Sequence, residues 1–168
     1  MDYLNAAKSS ETSVDELALL ADSDYDFVQL AVVSNKNATA SILRLACPKK
    51  FDTWNRQTIA GEISSNVKTP HDVLHDIGVG LMPYLNNGRG NEMAAEAAIK
   101  LCNNTSTPLE IIKSTVCSID ASIGIRKKIA SNVTRQHVLE FLLNDPSVAV
   151  QKRAANSLVN CGHPAGGL

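Results

Sequence analysis

Apolar residues recur along this chain in short helical blocks of two alternating kinds. The first kind opens a helix. Ser13-Val-Asp-Glu16, Thr69-Pro-His-Asp72 and Thr107-Pro-Leu-Glu110 share one pattern, with weaker copies at Thr134-Arg-Gln-His137 and Ala38-Thr-Ala-Ser41. A Ser or Thr at the N-cap accepts hydrogen bonds from free backbone N–H groups, and an acid three residues on can reach back to the cap. Pro70 and Pro108 fall at the expected first helical position, where proline forfeits no hydrogen bond. Paired apolar residues follow: Leu17-Ala18, Ile42-Leu43, Val73-Leu74, Ile111-Ile112 and Val138-Leu139.

The second kind closes a helix. The blocks starting at Val28, Ile59, Ala97 and Ile125 place apolar residues at i and i+4, then a small residue (Val33, Ser64, Cys102, Ala130). Each then ends on asparagine: Asn35, Asn66, Asn104, Asn132. A fifth block, from Val150, keeps the pattern with Ala155 as the small residue and has Ser157 at the asparagine position. The apolar pair marks one helix face, and the small residue lets a neighbouring helix approach. Asparagine tolerates the left-handed backbone that closes a helix and bonds readily to nearby main chain, so these asparagines are expected at helix ends.

Alternation of the two kinds predicts five helical pairs. The first helices of the pairs span 13–21, 38–47, 69–85, 107–117 and 134–143, and the second span 25–34, 52–65, 90–103, 122–131 and 146–159. Asp22-Ser-Asp24, Pro48-Lys-Lys50, Asn86-Asn-Gly-Arg-Gly90 and Asn144-Asp-Pro146 supply loop signals between them. The spacing from Asn35 runs 31, 38, 28 and 25 residues, an irregular period whose long steps coincide with long predicted helices and with Ile77-Gly-Val-Gly80. The domain reading is a polar segment over 1–12, helical repeats over 13–160 and a flexible tail over 161–168.

The last two repeats and the first resemble a known repeat class. Thr134, Val138-Leu139, Leu142, Asn144-Asp145-Pro146, Val150-Gln151 and Ala154-Ala155 follow the string of the leucine-rich-repeat variant, as do Leu17, Leu20-Ala21-Asp22, Val28-Gln29 and Val32-Val33-Ser34-Asn35. That variant belongs with the HEAT-like α-solenoids. The resemblance implies an all-α, right-handed α-solenoid of about five helical hairpins in which neighbours stack to share one core. Some variant-repeat proteins carry an N-terminal cysteine cluster for an iron–sulfur centre. Here no cysteine precedes Cys47, so that cofactor is not transferred and none is expected.

Composition fits this picture. Of 168 residues, 44% are hydrophobic but only 4% aromatic, which suits helices packed through small side chains better than a β-sandwich. No apolar run reaches the roughly 20 residues that span a membrane, and 1–11 lacks a signal-peptide core, so a cytoplasmic protein is expected. Cys47, Cys102, Cys117 and Cys161 form no Cys-x-x-Cys pair and read as free thiols. Residues 1–84 carry 7 Lys/Arg and 11 Asp/Glu, against 9 and 6 in residues 85–168, a mild charge gradient rather than a nucleic-acid footprint.

Five residues are assigned to a candidate binding surface: Arg126, Lys127, Lys128, Lys152 and Arg153, with Arg135 beside them. Stacked repeats would place 127 beside 152 and 128 beside 153, a ladder able to grip phosphates or an acidic protein. His71-Asp-Val-Leu-His75 has two imidazoles at zinc-ligand spacing with Asp72 where a general base would sit, but no third ligand is evident and the register assigns these residues to surface and cap. Cys102 occupies a small packing position. The asparagine row could line a polar strip, though helix closure explains it better. Phe51 and Trp54 could anchor an interface, but Trp54 is assigned to the core. No Gly-rich phosphate loop or nucleophile elbow occurs.

The expected function is a non-enzymatic scaffold for a protein or peptide partner, with no membrane. Nucleic-acid binding through the basic ladder is the first alternative, and a zinc-dependent hydrolase at His71 and His75 the second. The open ends of such a stack also admit self-association.

Overall fold

A computed structural model of the chain describes residues 2–86 and 91–162. Most of the glycine-rich loop and the tail beyond Gly162 lie outside the described residues. Among those described there are eleven helices and no strand: α1 (Tyr3–Lys8), α2 (Val14–Ala21), α3 (Asp26–Val33), α4 (Ala40–Leu45), α5 (Trp54–Ser65), α6 (His71–Leu85), α7 (Glu92–Asn103), α8 (Leu109–Ser114), α9 (Ile123–Asn132), α10 (Gln136–Leu142) and α11 (Val148–Asn160). The ten expected helices all form.

The eleventh, α1, was not legible as a helix, and the helical region starts at residue 3 rather than 13. Asp2 caps α1 by accepting from Asn5 N–H at 3.2 Å, and Ala7 is fully buried. A six-residue helix is too short to display a repeat and depends on packing for its stability. Here α1 rests on α3, whose following Asn35 donates to Ala7 O and Ser9 O, each at 2.8 Å.

Helices pack in two rows. In one, α1, α3, α5, α7, α9 and α11 each contact the next, and in the other α2 contacts α4, α6 contacts α8, and α8 contacts α10. Hydrogen bonds between helix ends show that successive members of the first row run the same way. Asn104, closing α7, donates to Ser64 O and Asn66 O at the end of α5, and Ser157 of α11 donates to Ala130 O near the end of α9. The i/i+4 pairs fill the core between the rows: Val28 and Val32, Ile59 and Ile63, Ala97 and Leu101, Ile125 and Ile129, Val150 and Ala154 are each at most 4% exposed. Helices α5 and α7 approach closely, and a methyl on Gly61 would meet Ala97 Cα at 3.4 Å.

Caps explain most helix starts. Ser13, Thr39, Thr53, Asn91 and Ser122 each accept from the backbone N–H three residues on. Thr69, Thr107 and Thr134 do not cap. They sit one residue earlier, and Pro70, Pro108 and Arg135 occupy the cap position without a side-chain bond. Proline needs no cap donor, and its carbonyl takes the first helical bond, as Leu74 N–H to Pro70 O at 3.0 Å shows. Freed from capping, the Thr69 hydroxyl turns back to Ile63 O at 2.6 Å, as Thr12 does to Ala6 O at 2.5 Å.

The second row is interrupted. Helix α4 has six residues and α6 fifteen, and the Arg44–Asp72 ion pair joins them where their backbones do not pack closely. The α4–α5 loop folds over α6 instead, and Phe51, 7% exposed, lies on Gly80, where a Cβ would stand 2.1 Å from Phe51 Cε2. Glycine is required there by close approach. At Gly78 a Cβ would stand 2.6 Å from Oγ1 of Thr115, the residue that caps the end of α8, and the same constraint applies.

Candidate interaction surface

Polar side chains divide into those that stitch the repeats together and those left to solvent. Between successive repeats, a side chain after one odd-row helix reaches back to carbonyls of the previous loop. Asn37 donates to Ser10 O and Thr12 O, Lys68 to Lys36 O and Ala38 O, Ser106 to Val67 O, and Arg135 to Asn104 O and Thr107 O. Within repeats, one side chain of an odd-row helix reaches the loop before that helix: Gln29 to Ala21 O, Gln57 to Phe51 O, Gln151 to Asp145 O.

Arg126 belongs to this second set, which removes it from the basic surface. It is 3% exposed, meets Asp145 through Nε at 2.7 Å and Nη2 at 3.3 Å, and donates from Nη1 to Ile119 O and Ala121 O. Arg135 is half-buried in its loop contacts. The cause is register: Arg126 aligns with Gln29 and Gln151, whose role is to satisfy loop carbonyls. Lys128 sits 3.7 Å from Glu92 of α7, half-paired. Lys127, half-buried, and Lys152 and Arg153, exposed, form no ion pair with a described residue.

The asparagine row is likewise structural rather than a binding strip. Asn35 and Asn104 are 7% and 4% exposed, and each saturates its amide with two carbonyls of the previous odd-row helix end and one backbone N–H. Asn66 is half-buried and accepts from Lys68 N–H alone. Asn132 is exposed and bonds only to Lys128 O of its own helix, its bridging role passing to Asn103, which donates to Asn132 O and accepts from Thr134.

Trp54 overturns the core assignment: it is 74% exposed at the first turn of α5. It is one of a series. Tyr25 (56%) and Phe27 (55%), their rings 5.5 Å apart, open α3, and Ile123 (52%) and Val148 (59%) open α9 and α11. Half-buried Met93 at the start of α7 touches Thr58, one turn after Trp54. Because the odd-row helices run the same way, these first turns lie at one end of the row. The sequence carried a signal for them, an apolar residue one to five positions ahead of the buried pair and outside the i/i+4 stripe that the core uses.

This face changes character along the row. Phe27, Leu30 and Ala31 of α3, with Leu4 of α1, line a shallow apolar groove of about 390 Å³. Across α5, α7 and α9 the face carries the ion pairs Glu62–Lys100 at 2.5 Å and Glu92–Lys128. At its far end Lys127 follows Ile123, and Lys152 follows Val148, by four residues. Each cation therefore shares a helix face with an exposed apolar side chain.

The other sequence candidates are not brought together. His71 and His75 are exposed on α6, His75 is 3.6 Å from Asp76, and no cluster of three or more His, Cys, Asp or Glu that could hold a metal occurs among the described residues. Asp72 is held instead by Arg44, whose Nη2 contacts both carboxylate oxygens at 2.7 Å; that hydrogen bond keeps its pKa below the ordinary carboxylate value. These residues rim an open cleft of about 980 Å³ between α4, the α4–α5 loop and α6, floored by Val79, Pro83 and Tyr84. Cys47 also lines it, and burial pushes that thiol up to about 12. Cys102 and Cys117 are buried with their sulfurs 3.9 Å apart, and the hydrogen bond between them together with burial raises the Cys102 thiol well above its usual value. Such thiols are protonated and inert at neutral pH.

Comparison with family models, with curated proteins and with solved structures found no match to this chain. Among the described residues no helix is long and apolar enough to cross a membrane.

Proposed function

We propose that this chain is a right-handed α-solenoid of helical hairpins, led by one unpaired helix, that acts as a non-enzymatic scaffold for a protein or peptide. The stacking of α1, α3, α5, α7, α9 and α11 supports the solenoid reading. The observation that carries the binding reading is the series of exposed first-turn residues, Phe27, Trp54, Ile123 and Val148, on the open side of that row. Tryptophan and tyrosine on a rigid helix end are favoured interface anchors, since they bury large area at little entropic cost. A solenoid has no cleft between domains, so an extended face is its natural recognition surface.

Nucleic-acid binding through the basic ladder is the second reading. Lys127, Lys152 and Arg153 favour it. Removal of Arg126 into the core and the pairing of Lys128 with Glu92 leave it fewer phosphate contacts than the sequence offered.

The test compares pull-downs from nuclease-treated lysate using the wild-type chain, a Trp54→Ala/Lys152→Glu/Arg153→Glu variant, and a control His71→Ala/His75→Ala variant on α6. A protein captured by the wild type and the control but not by the face variant supports the scaffold reading. Capture of nucleic acid alone before nuclease treatment, lost at moderate salt, replaces it with the basic-ladder reading.

A further inference from the structure

We infer that the partner of this face is an extended acidic peptide segment, anchored at one end by an aromatic or large aliphatic side chain on Trp54 and held at the other by Lys127, Lys152 and Arg153. The inference rests on the scaffold reading and specifies the chemistry of its partner.

The two ends of the face differ in what they leave unsatisfied. At the α3–α5 end the unsatisfied surface is apolar: Trp54 is 74% and Phe27 55% exposed. Arg56 and Asp52 there are paired with each other at 2.8 Å. At the α9–α11 end the cations Lys127, Lys152 and Arg153 form no ion pair with a described residue. Asp145 is bound to the buried Arg126, and Glu92 sits toward Lys128. A ligand complementary to both ends has an apolar residue at one end and carboxylates at the other. A nucleic acid can stack bases on Trp54, but its phosphates would also bring negative charge to the α3–α5 end, where Asp26 lies in the first turn of α3.

The helix spacing sets the distance between the two features. Neighbouring packed helices lie about 9 Å apart, so α9 is about 18 Å and α11 about 27 Å from α5. An extended chain advances about 3.3 Å per residue. The acids are therefore expected about five to eight residues from the anchor.

The experiment selects binders to the full chain from a random peptide library of about 16 residues, twice that span. Recovered peptides are expected to carry an aromatic or large aliphatic residue with two or more Asp or Glu about five to eight positions away. Their affinity is expected to fall about tenfold or more both on Trp54→Ala and on Lys152→Glu/Arg153→Glu. These positions are exposed, so the variants keep the fold, which an unchanged urea midpoint verifies. Peptides that lose binding with Trp54→Ala but show no acidic enrichment overturn this inference while leaving the scaffold reading intact. Selection yielding only peptides indifferent to both variants overturns the two together. Tight binding of a labelled single-stranded oligonucleotide, abolished by the same charge reversals while no acidic peptide is recovered, overturns both in favour of nucleic acid.

Discussion

The guanidinium of Arg126 and the carboxylate of Asp145 meet at 2.7 Å with each side chain 4% exposed, joining the start of α9 to the loop before α11. Around them the polar groups are satisfied: Arg126 also donates to Ile119 O and Ala121 O, and Asp145 accepts from Ser147 N–H at 2.8 Å. A buried pair of this kind adds little over a well-packed apolar pair, but removing one member leaves an uncompensated charge. Arg126→Ala is expected to destabilise the fold by about 3–5 kcal/mol, read from the urea midpoint. Lys152→Ala, by contrast, removes an exposed cation about one turn into the next odd-row helix and should stay within about 0.5 kcal/mol.

The asparagines at the helix ends look alike in sequence but are not equivalent. Asn104→Ala removes two buried carbonyl partners and one N–H acceptor and is expected to cost about 2–3 kcal/mol. Asn132→Ala removes one exposed bond and should cost under about 0.5 kcal/mol. Equal effects in chemical denaturation would contradict the inter-helix clamp.

Phe51 and Gly80 form a coupled pair. Gly80→Ala forces the ring off α6 and is expected to cost about 1–3 kcal/mol, despite the better helix propensity of alanine. In a Phe51→Ala background the same change has nothing to displace, so it should become neutral or mildly stabilising. A double-mutant cycle that gives no coupling would show that the loop does not depend on this approach.

The Arg44–Asp72 contact predicts a pH effect of definite sign. The hydrogen bond from Arg44 holds the Asp72 pKa below the ordinary carboxylate value in the folded chain, so the contact favours folding above that ordinary value, and the benefit is lost as pH falls through the lowered folded value. Both side chains are more than half exposed, so solvent screening keeps the effect on stability small. The direct check is an NMR titration of the Asp72 carboxyl, whose midpoint should rise on Arg44→Ala.

Thiol reactivity should separate the four cysteines. Cys161 is exposed, Cys47 is half-buried with its thiol pushed up to about 12, and Cys102 and Cys117 are buried. In the native protein at pH 8 a disulfide reagent is expected to modify one thiol rapidly, a phase that Cys161→Ser abolishes. Rapid modification of Cys102 would mean that α7 and the segment after α8 open readily.

What could be read in the chain and what could not divides along a physical line. The existence and order of α2 to α11 follow from local rules, since apolar spacing, caps and loop residues act within a few positions, though α4 and α8 are shorter than the expected 38–47 and 107–117. The buried pairs, from Val28 and Val32 to Val150 and Ala154, were legible for the same reason. Where a polar side chain spends its hydrogen bonds is decided by neighbours 20 to 40 residues away. Thus Arg126, read as surface, became the partner of Asp145, and Asn104 became a clamp on α5. Trp54 shows the converse: size and apolarity argue for burial, but α5 runs a turn beyond its packed segment and leaves the indole in water. Helix α1 has too few residues to announce itself, and only the apolar side of α3 gives it a place to fold. The sequence by itself thus determined the helices and their buried faces, because those depend on periodicity. The tertiary structure alone decided which polar and aromatic residues remain free to meet a partner, because that depends on how the repeats stack.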